Sequence, residues 1–277
     1  MNINNGSLKP IGVFDSGVGG LSVLRAIRIH LPKESVLYFA DQGHVPYGSR
    51  PVEEVQEFSK EISRFLLDNG AKIIVVACNT ASAAALQLLR QTFPEVLFVG
   101  MEPAVKPAAE HTKTGVVGVL ATPATFQGSL YGSVVERFAA NVTLLQGTCP
   151  GLVQQIEQGD LTGQKTRIIL ESVLHPMVEQ GIDTIVLGCT HYPFVIPLIL
   201  NIVGPNIRVI DPAPAVAQQV ARLLNSTGKQ RVDLQPGYLH FFTSGDTAQF
   251  EALLPTLLGD KGDIQKAYWD KGVIQLD

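Results

Sequence analysis

The chain has 277 residues, with 21 basic and 25 acidic side chains, a net charge of −4 and 45% hydrophobic residues. That length permits one large domain or two modest ones. The charge balance, with no basic run, argues against nucleic acid as a partner. No apolar run reaches the roughly 18 residues that span a bilayer.

The first ten residues, MNINNGSLKP, lack the basic and apolar regions of a signal peptide and read as a short disordered lead. Strand-like and helix-like segments then alternate. IGVFDS precedes GLSVLRAIRIHL, and SVLYFAD precedes PVEEVQEFSKEISRFLLDNG. In that longer helix Pro51 suits the first helical position, Glu53 and Glu54 the first turn, and Gly70 the stop. Val55, Phe58, Ile62, Phe65 and Leu66 form its apolar stripe. KIIVVA and its helix follow, then EVLFVG, TGVVGVLA, VTLLQGT, DTIVLG and IRVIDP. Each is a near-continuous apolar, β-branched run, as strands covered on both faces require. The alternation predicts an α/β fold of mainly parallel sheets flanked by helices, with about nine strands.

Nine strands exceed one typical sheet. Pro and Gly gather at GMEPAVKPAAEHTKTG and again at VIDPAPA, which read as crossings between two units. Two similar lobes are expected, residues 1–101 with 211–277, and 102–210 inserted between them. IIVVACNTAS and TIVLGCTHYP echo one another: strand, small residue, cysteine, then hydroxyl or amide residues. Ligands of α/β sheets bind at the carboxyl ends of strands, so an active site in a cleft between the lobes is expected, with Cys78 and Cys189 facing it.

A cysteine at the start of a helix lies near unpaired N–H groups and the positive end of the helix dipole, a setting that favours the thiolate. Free cysteine is also a common small core residue, yet two in matching settings point to chemistry. Cys149 follows a strand too, but Pro150 comes next and no hydroxyl cluster surrounds it, so it reads as structural. Three widely spaced cysteines make no disulfide framework, and a reducing cytoplasm suits them. Cys189 and His191 are close, but without a C-x-x-C pair no zinc cage is expected. GVFDSGVGG fails the dinucleotide fingerprint because Ser22 stands where glycine is required. Its glycines instead suit backbone amides approaching a small anion, faced by Asp15 and Ser16. ADQGHVPYGSR carries Asp41, His44, Tyr47 and Gly48 past another strand, with turn backbone that could bind a carboxylate.

GVFDSGVGGLSV, VPYGSR, VVACNTASA and LGCTHYPF, in this order and spacing, resemble the signatures of cofactor-independent glutamate racemases. The resemblance runs from Lys9 to about Phe250. One departure is QGHV before Pro46, where the family often carries arginine, and it leaves the role of His44 open. The resemblance implies interconversion of L- and D-glutamate without a cofactor, supplying D-glutamate for bacterial peptidoglycan, by a cytoplasmic homodimer. It implies that Cys78 serves the D-isomer's face of the α-carbon and Cys189 the L-isomer's, one as base while the other is acid. Asp15 and His191 would assist the cysteines and hold the ammonium group. Ser16, Tyr47, Gly48, Asn79, Thr80 and Thr190 would bind the carboxylates, with Asp41 and Glu157 among the surrounding acids. Two cysteines do not themselves determine side-chain length, so a racemase of aspartate or another small amino acid is the nearest rival. A two-lobed binding protein would not need two thiols, and a thiol redox enzyme usually shows C-x-x-C.

Overall fold

The structure, a computed structural model, describes residues 6–232 and 235–277. Internal contacts divide the chain into two units, Met1–Met101 with Ala213–Asp277, and Glu102–Pro212. The expected disordered lead falls partly on residues 1–5, outside the described residues. From Ser7 the chain is tied down: Lys72 Nζ donates to the Ser7 carbonyl at 2.8 Å and pairs with Glu34 at 2.5 Å, both charges buried.

The first unit contains strands β1 (Ile11–Asp15), β2 (Val36–Ala40), β3 (Ile73–Val76) and β4 (Phe98–Gly100). Helices α1 (Leu21–His30), α2 (Val52–Asp68) and α3 (Asn79–Thr92) connect them. The second unit holds β5 (Val116–Ala121), β6 (Thr143–Gly147), β7 (Thr184–Gly188) and β8 (Arg208–Ile210). The chain then returns to the first unit with β9 (Leu239–Thr243), β10 (Asp263–Asp270) and β11 (Val273–Leu276). Eleven strands thus stand among the described residues, against the nine or so expected. The additional ones lie in the C-terminal segment, where Lys271 and Gly272, both with positive φ, make the tight turn of the β10–β11 hairpin.

The first sheet runs β11-β10-β9-β2-β1-β3-β4, parallel throughout except for the β10–β11 pair. The second runs β6-β5-β7-β8, all parallel. The first four strands of each unit therefore follow one order, second-first-third-fourth. In such a sheet the ligand crevice opens at the carboxyl ends of the first and third strands, where crossovers leave to opposite sides.

Strand composition explains the burial. β1, β2, β3 and β7 are buried at every residue, as their unbroken apolar runs require. Edge strands β6 and β8 are largely half-exposed or exposed. The α2 stripe packs as its spacing predicts, with Val55, Ile62, Phe65 and Leu66 in the core and Phe58 against it. Pro51 is the residue just before α2 rather than its first helical position, extended at ψ 144°. Gly70, at φ +88°, ends the helix in the left-handed conformation that glycine adopts without strain.

Candidate active site

Register determines which side chains meet in the first unit. Asp15 pairs with Ala40 across β1–β2, and Phe14 with Val76 across β1–β3. The residues that leave these strands together at one sheet edge are Asp15 and Ser16, then Asp41, then Cys78. Cys78 is the N-cap of α3, and its Sγ accepts the Ala81 N–H at 3.4 Å. A sulfur here receives a backbone donor and the helix dipole, as its position after a strand leads one to expect. It is 5% exposed.

Asn79 and Thr80 occupy the first two positions of α3, both buried. Neither the Asn79 Nδ2 nor its Oδ1 has a hydrogen-bond partner, although both atoms are fully buried. An unpaired buried amide costs about 1–3 kcal/mol. Beside the Cys78 thiol there is thus an amide whose hydrogen-bonding capacity is unused within the protein.

Asp15 is buried at the end of β1, and its Oδ2 accepts the N–H groups of Gly17 and Gly20 at 3.2 and 2.9 Å. The glycine loop was expected to offer its amides to an anionic ligand. Two of them instead hold the protein's own carboxylate. Gly20 has no room for a side chain, since a Cβ would stand 2.8 Å from the Tyr38 Oη and from the Asp15 Cβ. Ser16 is buried beside it.

The VPYG turn depends on Asp41. This fully buried carboxylate accepts Tyr47 Oη–H on Oδ2 at 2.6 Å, and Ser244 Oγ–H and Trp269 Nε1–H on Oδ1 at 2.7 and 2.8 Å. His44 Nδ1 lies 3.1 and 3.0 Å from its two oxygens. Burial first, then the charge and hydrogen bond of Asp41, raise the Tyr47 pKa well above its usual value, with Cys78 and Asp15 adding to it. Tyr47 is therefore a neutral donor whose proton is committed to Asp41. The turn itself is a short 3-10 helix, Tyr47–Ser49, which includes Gly48 and whose leading N–H groups have no partner within the helix. His44 stacks on Phe58 at 4.1 Å and meets Trp269 at 5.2 Å, so its ring packs within the turn while Nδ1 contacts Asp41.

In the second unit Cys189 follows β7, as Cys78 follows β3, but the helical setting differs. A 3-10 helix, Tyr192–Val195, comes first, and the α-helix Ile196–Val203 only after it. The expected helix terminus at the second cysteine is thus displaced by Pro193. In its place Cys189 Sγ lies 3.8 Å from His191 Nδ1, and His191 Nε2 lies 2.6 Å from Glu157 Oε1. Glu157 ends the short helix Leu152–Glu157 and is buried. Burial alone would lower the His191 pKa. Hydrogen bonds and charges of Cys189 and Glu157 outweigh it and raise that pKa well above the usual value. The carboxylate holds Nε2–H and leaves Nδ1 facing the sulfur, an arrangement through which a thiol proton can move. Thr190 is buried between the two.

Cys149 is 5% exposed, and burial pushes its pKa to about 12, with the Cys189 charge adding and a Tyr192 hydrogen bond opposing. It stays a neutral thiol. Among the described residues no group of three or more His, Cys, Asp or Glu gathers to hold a metal ion.

The sequence-predicted residues therefore fall into two sets. Asp15, Ser16, Asp41, Tyr47, Gly48, Cys78, Asn79 and Thr80 stand at the carboxyl edge of the first sheet. Glu157, Cys189, Thr190 and His191 stand together in the second unit. Ser244 and Trp269 were missed, because the C-terminal segment carries no motif. The signal available was structural: Asp246 is an N-cap, accepting Gln249 N–H at 2.8 Å, which marks Ser244 as loop after a strand.

Residues 11–220 match the Asp/Glu/Hydantoin racemase family. The chain belongs to this racemase family. A glutamate racemase of Pseudomonas paraeruginosa is 51% identical over 257 residues, covering 93% of this chain and 97% of that relative. Among solved structures, a glutamate racemase isoform of Bacillus anthracis superposes with a TM-score of 0.85 at 34% identity, covering 96% of this chain and 98% of that one. The Escherichia coli glutamate racemase, solved in complex with L-glutamate, has a TM-score of 0.81 at 32% identity, with 93% and 97% covered. The two-sheet α/β architecture and the racemase assignment implied by the motifs thus agree with relatives spanning nearly the whole chain. No helix among the described residues is long and apolar enough to cross a membrane.

Proposed function

We propose that the protein interconverts L- and D-glutamate without a cofactor, with Cys78 and Cys189 exchanging the α-proton on opposite faces of the substrate carbon. The observation that carries this reading is the equivalence of the two thiols. Each follows the third of four parallel strands that share one order in the two sheets. Glutamate as the substrate is supported by the relatives, among them the Escherichia coli enzyme with L-glutamate bound.

The α C–H bond breaks, its proton passes to one sulfur, and the electron pair stays on carbon, delocalised into the adjacent carboxylate. The opposite thiol then delivers a proton to the other face, inverting the centre. One base cannot readily reach both faces, which is why two like groups are used. His191 relays the Cys189 proton, with Glu157 stabilising the imidazolium. On the Cys78 side the Ala81 N–H and the α3 terminus stabilise sulfur charge. Asp15 holds the ammonium group. The Asn79 amide, Ser16, Thr80, Thr190 and the backbone at Tyr47 and Gly48 bind the two carboxylates, where donors set in advance are worth most. D-Glutamate made this way serves bacterial peptidoglycan, and the enzyme works in the cytoplasm as a homodimer.

The test is incubation of purified protein with L-glutamate in D2O without added cofactor. D-Glutamate carrying α-deuterium is expected, and aspartate should turn over far more slowly. Absence of D-glutamate, or faster racemisation of aspartate, would overturn the substrate assignment. Sedimentation of the same sample checks the dimer.

A further inference from the structure

Trp269 lies in a segment without any active-site motif, yet its indole N–H reaches a carboxylate at the site edge. β10 explains how. It pairs with β9 only over Asp263–Lys266, then runs on past the carboxyl end of that sheet to pair with β11. Trp269 therefore overhangs the strand ends from which Asp41 emerges. The hairpin is anchored behind, where Ile274 N–H donates to Glu61 of α2 at 3.3 Å. Lys266 Nζ meanwhile donates to the Ser244 carbonyl at 3.1 Å, bracing the loop that carries the second donor.

We propose that Trp269 and Ser244 are positioning residues for substrate carboxylate binding, acting through Asp41 on the Tyr47–Gly48 turn. A buried carboxylate is stable only when its oxygens are filled by donors. Trp269 and Ser244 both donate to Oδ1, which sets the plane of the carboxylate and aims Oδ2 at Tyr47. Tyr47 in turn holds the backbone of its own turn. The chain runs from a C-terminal strand, through one shared charge, to the amides that meet substrate. Neither Trp269 nor Ser244 needs to touch glutamate. Charge-assisted hydrogen bonds that share one buried carboxylate are coupled through it, so removal of one donor is felt at the others.

The inference rests on the glutamate reading for its substrate, and the experiment separates the two. Trp269→Phe keeps an aromatic ring against His44 and Phe58 while removing the N–H donor and one ring of the indole, and Ser244→Ala removes the other donor with little volume change, so an effect shared by both variants reports the lost donors. Each variant is examined by glutamate kinetics and by the amide resonances of Tyr47 and Gly48 in the ligand-free protein. The expected result is a KM raised about fivefold to tenfold with kcat within about twofold, the loss of one or two ordinary hydrogen bonds. The Tyr47 and Gly48 amides should shift in both variants, while those of Thr190 and His191 stay put. Unchanged Tyr47 and Gly48 resonances in both variants would overturn the inference whatever the kinetics. A fall in kcat with KM unchanged would also overturn it. Shifted amides in a protein whose wild type does not turn over glutamate would uphold the positioning role and reject the substrate reading.

Discussion

The two cysteine turns occupy the same place in two sets of four strands that share one order, but they surround sulfur with different chemistry. Cys78 is served by backbone: an N-cap position, one N–H on Sγ and a following α-helix. Cys189 is served by side chains, a histidine 3.8 Å away backed by a buried glutamate. Backbone dipoles do not titrate, whereas an imidazole does. A reaction that sends a proton across a planar centre needs equal access from both sides, not equal environments. The comparison therefore predicts a symmetric overall reaction built from two unequal half-reactions.

The largest effect should come from removing either thiol. Cys78→Ser and Cys189→Ser should each lower racemisation in both directions by about 10²–10⁴-fold, the usual worth of a positioned proton-transfer group. Half-reactions should then separate them. A chloroglutamate carries a leaving group on the β-carbon and can eliminate after one abstraction, without reprotonation. Cys78→Ser should chiefly impair elimination from the D-configured substrate, and Cys189→Ser from the L-configured one. Equal losses for both enantiomers in each variant would remove the assignment of one cysteine to each face.

A smaller and one-sided effect is expected from Glu157→Gln, which retains a carbonyl oxygen for His191 but removes the charge. Losing a charge-assisted bond of about 1.5–3 kcal/mol should slow elimination from the L-configured substrate about 10- to 100-fold and leave the D-configured one nearly unaffected. Glu157 raises the His191 pKa, so the limb of the rate profile governed by that imidazole should move to lower pH. Stability follows the same sign. His191 has a folded pKa above its usual 6.5, so its contribution is fully present below that value and fades as pH rises through the folded pKa. Thermal melts should show wild type exceeding Glu157→Gln most at mildly acidic pH, with the gap closing in alkali. A gap that widens with pH would show that the imidazole is not stabilised in its charged form.

The smallest effect belongs to Asn79→Ala on the Cys78 side. One lost ligand hydrogen bond of about 1 kcal/mol corresponds to about a fivefold rise in KM. Because the amide is buried and unpaired, its removal should leave the melting temperature unchanged or raise it. A clear drop in melting temperature would instead make Asn79 a structural residue of α3.

Much of the fold was legible because parallel strands buried on both faces need long apolar runs, and those runs stand out. β1, β2, β3 and β7 follow that rule. β10 does not: it carries Gln265, Lys266 and Asp270 and is buried at only one position, so no apolar run betrays it. The α2 boundary slipped by one residue, since a proline suits the first helical position and the residue before it almost equally. The glycine loop after β1 read as an anion cradle, and two of its amides in fact hold Asp15. Local composition names the donors of such a loop but not which acceptor takes them.

For the site, the sequence alone determined which residues are candidates for the chemistry. A thiol after a buried strand, followed by hydroxyl and amide residues, is a pattern of neighbours in the chain, and it singled out both cysteines; Asn79, Thr80, Thr190 and His191 were named through the resemblance of the motifs to the racemases. Glu157 and Asp41 could be named only as acids near the site. Their partners depend on distances between residues far apart in sequence: 34 positions for Glu157 and His191, 228 for Asp41 and Trp269. Such pairs arise when sheet register and helix packing bring separate segments together, and no periodicity encodes them. The tertiary structure alone decided that one cysteine leans on backbone and the other on a histidine, because Pro193 delays the second helix and a helix end distant in sequence supplies the carboxylate instead.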